Sequence, residues 1–172
     1  MILFMAKMNR TRDLYDRLSA ISDPEQTYEP KKIVSVTENN VTYRVDIDPK
    51  TKSAVFGVDG KLINNQGSNK CDKLILIEMP DSEKSCAGIF VELKGGNFSR
   101  AVKQLRATIL HPLFPKKDFT KRYVRIAIKH AKYPKKSPKT ALREAEIEFK
   151  KYGCAFKKLN SEETDIIKLD IE

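Results

Sequence analysis

The chain has 172 residues, 40% of them hydrophobic and 33% charged, with a formal net charge of +10. That length suits one domain, that balance excludes a disordered chain, and no apolar run approaches the roughly 18 to 20 residues that span a bilayer. Three cysteines, Cys71, Cys86 and Cys154, are odd in number and lack a CxxC pair, which argues against a disulfide framework or a zinc site and makes the cytoplasm the expected compartment.

The opening MILFMAKMNR is apolar only briefly, with no preceding basic region, and predicts a strand or helix lead-in rather than a signal peptide. Residues 9–21 read as a helix with Leu14, Leu18 and Ile21 on one face, ended by Asp23-Pro24. Two alternating runs, 32–37 and 41–48, flank Glu38-Asn39-Asn40 and predict a hairpin. Asp48-Pro49-Lys50 reads as a further turn before a strand at 54–58. The run KLILIEM, residues 73–79, is apolar on both faces and predicts a central strand; the chain turns near Ser82 or Glu83, and 88–94 returns as its antiparallel partner. Past Gly95-Gly96, residues 98–110 carry Phe98, Ala101, Val102, Leu105 and Ile109 at helical spacing, with Asn97 or Ser99 as cap. His111 next to Pro112 reads as a helix terminator, and His130 as a solvated residue at a strand end.

From Lys116 to Lys139, ten Lys or Arg stand against one acid, Asp118, so this stretch carries +9 of the +10. A concentrated positive surface releases condensed counterions on meeting phosphate, and nucleic acid is therefore the leading partner. Within it, 122–131 alternates as a strand, Val124, Ile126 and Ile128 on one face and Tyr123, Arg125 and Lys129 on the other. A helix at 139–152, with Gly153 as its C′ residue, and strands at 155–159 and 166–171 close the chain.

Glu92 and Lys94 are out of place in the apolar run GIFVELKGG. A strand's period of two puts both on one side, with Ile89, Val91 and Leu93 on the other. Opposite residues of an antiparallel pair share a face, so a turn at Ser82 or Glu83 brings Asp72 opposite Glu92 or Lys94. Two acids and a lysine buried together are costly without a counter-charge, and oxygen ligands of this kind suit Mg²⁺ or Mn²⁺.

Asp72, then twenty residues on Glu92-Leu93-Lys94 in a strand, then Gly95-Gly96 and an amphipathic helix, resembles the active-site core of the PD-(D/E)xK nuclease superfamily, the restriction-endonuclease-like fold. The resemblance covers about residues 54–130 in element order and departs from the pattern at Cys71, which stands where proline precedes the aspartate. It implies an α/β domain over 1–172: a core at about 54–159, a central mixed β-sheet flanked by helices, plus an N-terminal helix and an extra hairpin over 9–48. The implied activity is metal-dependent phosphodiester hydrolysis. Asp72, Glu92 and the Leu93 carbonyl hold the ion, Lys94 orients water, and Gln104 on the following helix faces the site. A further acid, Glu25, Glu29 or Asp59, remains open, although a turn role suits Asp59 better.

The expected function is a Mg²⁺-dependent DNA endonuclease of restriction, repair or phage-defence type, with Lys121, Arg122, Arg125, Lys129, Lys135 and Lys136 as phosphate contacts. Cutting both strands requires a homodimer or a partner subunit. The alternatives are a non-catalytic nucleic-acid-binding module on the same fold and a nuclease acting on RNA or branched DNA.

Overall fold

A computed structural model describes residues 9–80, 85–133 and 136–169. The expected lead-in at 1–8, the centre of the turn after 80 and the expected phosphate contact Lys135 lie outside the described residues. In chain order the elements are α1 (Arg10–Ser19), β1 (Gln26–Glu38), β2 (Val41–Gly57), β3 (Lys73–Glu78), β4 (Cys86–Lys94), α2 (Phe98–Ile109), a 3-10 turn (Lys116–Asp118), β5 (Lys121–Ile128), α3 (Pro138–Lys151), β6 (Cys154–Asn160) and β7 (Thr164–Lys168).

Local chemistry sets most boundaries. Asn9 caps α1, Asn97 rather than Ser99 caps α2, and Ser137 caps α3 ahead of Pro138, each side-chain oxygen accepting a first-turn N–H. Gly153, at φ 70°, ends α3 in the left-handed conformation that glycine accommodates. Leu14 and Leu18 are buried as their spacing predicts, but Ile21 is exposed, because α1 ends at Ser19 and the helical period no longer applies. Asn39 and Asn40, both at positive φ, make the two-residue turn between β1 and β2.

The turn expected at Asp48-Pro49-Lys50 is absent, since β2 runs unbroken through it. There the β1–β2 register shifts, and β2 passes from parallel pairing with β7 over 44–48 to antiparallel pairing with β3 over 53–57. A proline compatible with a bend sits at the corner where a long strand changes partner. The N-terminal hairpin is consequently no appendage: β2 crosses the boundary drawn at 54 and belongs to both parts of the sheet.

The sheet has seven strands in the order β1-β2-β3-β4-β5-β6, antiparallel from β1 to β4 and parallel from β4 to β6. β7 follows β6 yet pairs with β2, so the sheet curls back toward closure. Two cores result. One lies between the sheet and the helices and contains Leu18, Phe56, Phe90, Leu105, Ile126 and Phe149. The other fills the inside of the curl with Tyr43, Val45, Ile75, Ile89, Val91 and Ile167. The architecture is α/β, a large mixed sheet with three α-helices among the described residues. No helix among those residues is long and apolar enough to cross a membrane, and all three cysteines are buried and free.

Candidate active site

β4 is buried along its whole length except at Lys94. Ile89, Val91 and Leu93 enter the core inside the curl, whereas Phe90 packs on the helix side. Alternation therefore directs Glu92 and Lys94 to the helix side, at the carboxyl end of a central strand. Asp72 immediately precedes β3 and is bonded to the residues flanking Glu92: its N–H donates to the Val91 carbonyl at 3.1 Å, and its Oδ2 accepts the Leu93 N–H at 2.6 Å. Asp72 thus stands beside Glu92 rather than Lys94. In a strand the N–H and C=O of one residue project the same way, so the Leu93 carbonyl is directed to the edge where Asp72 lies.

Glu92 is 0% exposed. The Lys94 ammonium lies 2.8 Å from its Oε1, and its Oε2 has no partner among the described residues. Burial, reinforced by the Asp72 charge and partly offset by Lys94, pushes the Glu92 carboxyl up to about 8. Burial also raises Asp72, to about 6, against the Leu93 amide bond and the Lys94 and Lys73 charges, which pull the other way. Desolvation thus opposes the ionisation of both neighbouring carboxyl groups.

Helix α2 sets the position of Asp72. Gln104, 7% exposed, donates from Nε2 to the Lys70 carbonyl at 2.9 Å. One turn on, the Thr108 hydroxyl accepts the Cys71 N–H at 2.8 Å. The two residues before Asp72 are thereby fastened to the helix, and Gln104 holds backbone while its Oε1 stays buried and unpartnered among the described residues. Sequence reasoning missed Thr108; its signal is a polar residue four positions from Gln104 on an otherwise apolar stripe. It also missed Glu38, whose charge raises both Asp72 and Glu92, and Lys73, which pairs with Glu25 at 2.7 Å and Glu38 at 3.3 Å. Of the three further acids considered, Glu25 reaches the site's edge only through Lys73, Glu29 pairs with Lys31 on β1, and Asp59 pairs with Lys70.

The expected phosphate contacts separate. Arg122 is buried and donates to the carbonyls of Ile109 and Tyr152. Arg125, also buried, pairs with Asp165 at 2.6 Å and donates to the Val124 and Ala155 carbonyls. These two are corrected from surface contacts to internal struts: alternation put Arg125 opposite the helix side, and β7, folding over that face, supplies the acid. Lys136 pairs with Glu144 on α3, Lys121 is half-buried, and Lys129 is exposed. The backbone of 129–132 runs beside 94–96, with N–H groups of Lys129, His130 and Lys132 donating to the carbonyls of Lys94, Gly95 and Gly96. This places the exposed side chains of Lys129, His130 and Lys132 at the same end of the sheet as Lys94. His111 accepts the Leu113 N–H within the turn after α2.

Among the described residues no three His, Cys, Asp or Glu side chains gather in a metal-holding group. The donor set is two carboxylates and a directed carbonyl, which fits an ion that keeps water and substrate phosphate as its remaining ligands, as Mg²⁺ does. The buried, unpartnered Glu92 Oε2 is the observation in favour of that fit. Comparison of the chain with protein-family models, with curated proteins and with solved structures yields no match in any of the three.

Proposed function

We propose that the chain is a Mg²⁺- or Mn²⁺-dependent nuclease with a restriction-endonuclease-like core, a DNA endonuclease of restriction, repair or phage-defence type. One observation carries the reading: a fully buried glutamate, one oxygen of which has no partner among the described residues, stands beside Asp72, with a lysine at 2.8 Å, at the end of a central strand. Asp72, Glu92 and the Leu93 carbonyl hold the ion. When bound, it supplies polarisation of the scissile phosphate and acidification of water. Lys94, whose ammonium lies 2.8 Å from Glu92, would orient the attacking water and stabilise charge developing on phosphate. Gln104 and Thr108 act one step back, keeping the Asp72 backbone in place. Lys94, Lys129 and Lys132 provide the cationic approach for a nucleic-acid backbone. Cutting both strands calls for a second copy or a partner subunit.

The Lys94–Glu92 ion pair favours a second reading, since it neutralises the glutamate without metal: a non-catalytic nucleic-acid-binding module. Plasmid incubation with Mg²⁺ or with chelator, repeated with Asp72→Ala and Lys94→Ala, separates the two. Mg²⁺-dependent cutting that both variants lose supports the nuclease. Salt-sensitive binding with no turnover supports the module, and undiminished cutting by both variants rejects the assigned site.

A further inference from the structure

A cleft of about 370 Å³ is formed by the loop between β2 and β3 and the first turns of α2. Its walls include Asn64, Gln66, Asn69, Lys70, Arg100 and Gln104. It adjoins the site through covalent and hydrogen-bonded links: Lys70 is two residues before Asp72, and its carbonyl is the group that Gln104 holds.

The loop is held in shape. Leu62 and Ile63 are anchored in the helix-side core. Lys70, buried although it carries a charge, donates to the Ile63 and Asn65 carbonyls and pairs with Asp59 at 3.1 Å. A buried lysine used as a strut pre-organises the segment between 59 and 70. The strut presents Asn64, Gln66 and Asn69 exposed, and no side-chain amide among them has a partner among the described residues. Deeper in the wall, the Gln104 Oε1 is a buried acceptor without a donor among the described residues. Arg100, exposed on α2, has no side-chain partner among the described residues either. Asp59 is already neutralised by Lys70, so the cleft keeps one uncompensated positive charge.

We infer that this cleft is a base-reading subsite, receiving one nucleotide of the nucleic-acid substrate adjacent to the scissile phosphate. Each primary amide offers a donor and an acceptor side by side, the pattern that matches a base edge, while the Arg100 guanidinium takes the nucleotide's phosphate. The volume falls in the range of clefts that enclose small molecules, about 300–1,000 Å³. The inference rests on the nuclease reading for the position of the cut and on the amide cluster for the recognition.

The test uses the full chain and two readouts. In the first, a randomised duplex and a randomised single strand are cut with Mg²⁺ and the ends sequenced. Wild type shows a base preference at one position beside the cut, and Asn64→Ala/Asn69→Ala lowers the ratio between best and worst base by about tenfold. In the second, fluorescence anisotropy measures binding of labelled hexanucleotides of each single base: wild type discriminates among them, the double variant does not, and Arg100→Ala weakens all four alike. Gln66→Ala serves as the second variant should the double variant melt early by circular dichroism. A wild type without base preference, or variants that keep it, overturns the subsite. Absence of cutting in any metal with discrimination intact in the binding arm overturns the nuclease and leaves the cleft standing as a base reader; equal binding of all four oligonucleotides overturns the cleft.

Discussion

Replacing Glu92 by Gln tests the electrostatic heart of the site without requiring a substrate. The side chain is 0% exposed and its carboxyl is raised from an ordinary 4.5 to about 8. Because the folded value is raised, the folded state binds the proton more tightly than the unfolded chain does, and stability is lost as pH rises from about 4.5 through about 8. At about 1.4 kcal/mol per pH unit the full loss is about 5 kcal/mol, and about 4 kcal/mol of it falls between pH 5 and pH 9. Gln is isosteric and does not titrate, while Asp72 titrates in both proteins and largely cancels in the comparison. Urea or thermal unfolding in chelator at the two pH values should show wild type falling relative to Glu92→Gln by about 4 kcal/mol, roughly 10 °C in Tm for a chain of this size. On the proposed metal-binding reading, added Mg²⁺ at pH 8 should recover stability in wild type and not in the variant, as a ligand of the native state alone does. Curves for the two proteins that run parallel from pH 5 to pH 9 would show that Glu92 ionises as if in water, and the poised pair would no longer exist.

Arg125→Ala leaves Asp165 buried without its main partner and should lower the free energy of unfolding by about 3–5 kcal/mol, with the salt dependence of nucleic-acid binding unchanged; a reduced salt slope in a stable variant would return Arg125 to the surface. Lys129→Ala is the converse: a urea midpoint within error of wild type and a salt slope smaller by about one, as for a single phosphate contact. At Gly88 an added Cβ would meet the Phe119 ring at 2.6 Å, so Gly88→Ala should cost about 1–3 kcal/mol in denaturant unfolding, and Phe119→Leu in the same chain should restore part of it; additive losses would show that the two do not share the space.

The sequence carries the local part of the site well. Period two in GIFVELK separates Glu92 and Lys94 from Ile89, Val91 and Leu93, and the structure follows that line, with the three apolar residues in the core inside the curl and Phe90, in step with Glu92, in the core on the helix side. Caps at Asn9, Asn97 and Ser137 are equally local, because each depends on a side chain reaching backbone within about three residues, and so is the asparagine turn at 39–40, which needs only two adjacent residues that tolerate positive φ. The partnership of Asp72 with Glu92 was legible only as one of two choices, since it depends on where the intervening turn falls.

What tertiary structure alone decided is who meets whom across long separations. β7 returns from the far edge of the sheet to pair with β2, and that one pairing converts Arg125 from a surface cation into the partner of buried Asp165, forty residues away. Likewise Glu38 comes near Asp72 and Glu92 only because β1 and β2 form a wall of the same curled sheet. A charge's role depends on the dielectric and the counter-charge around it. Neither is written in the neighbouring residues, so the same basic segment yields two internal struts at Arg122 and Arg125 and an exposed lysine at 129.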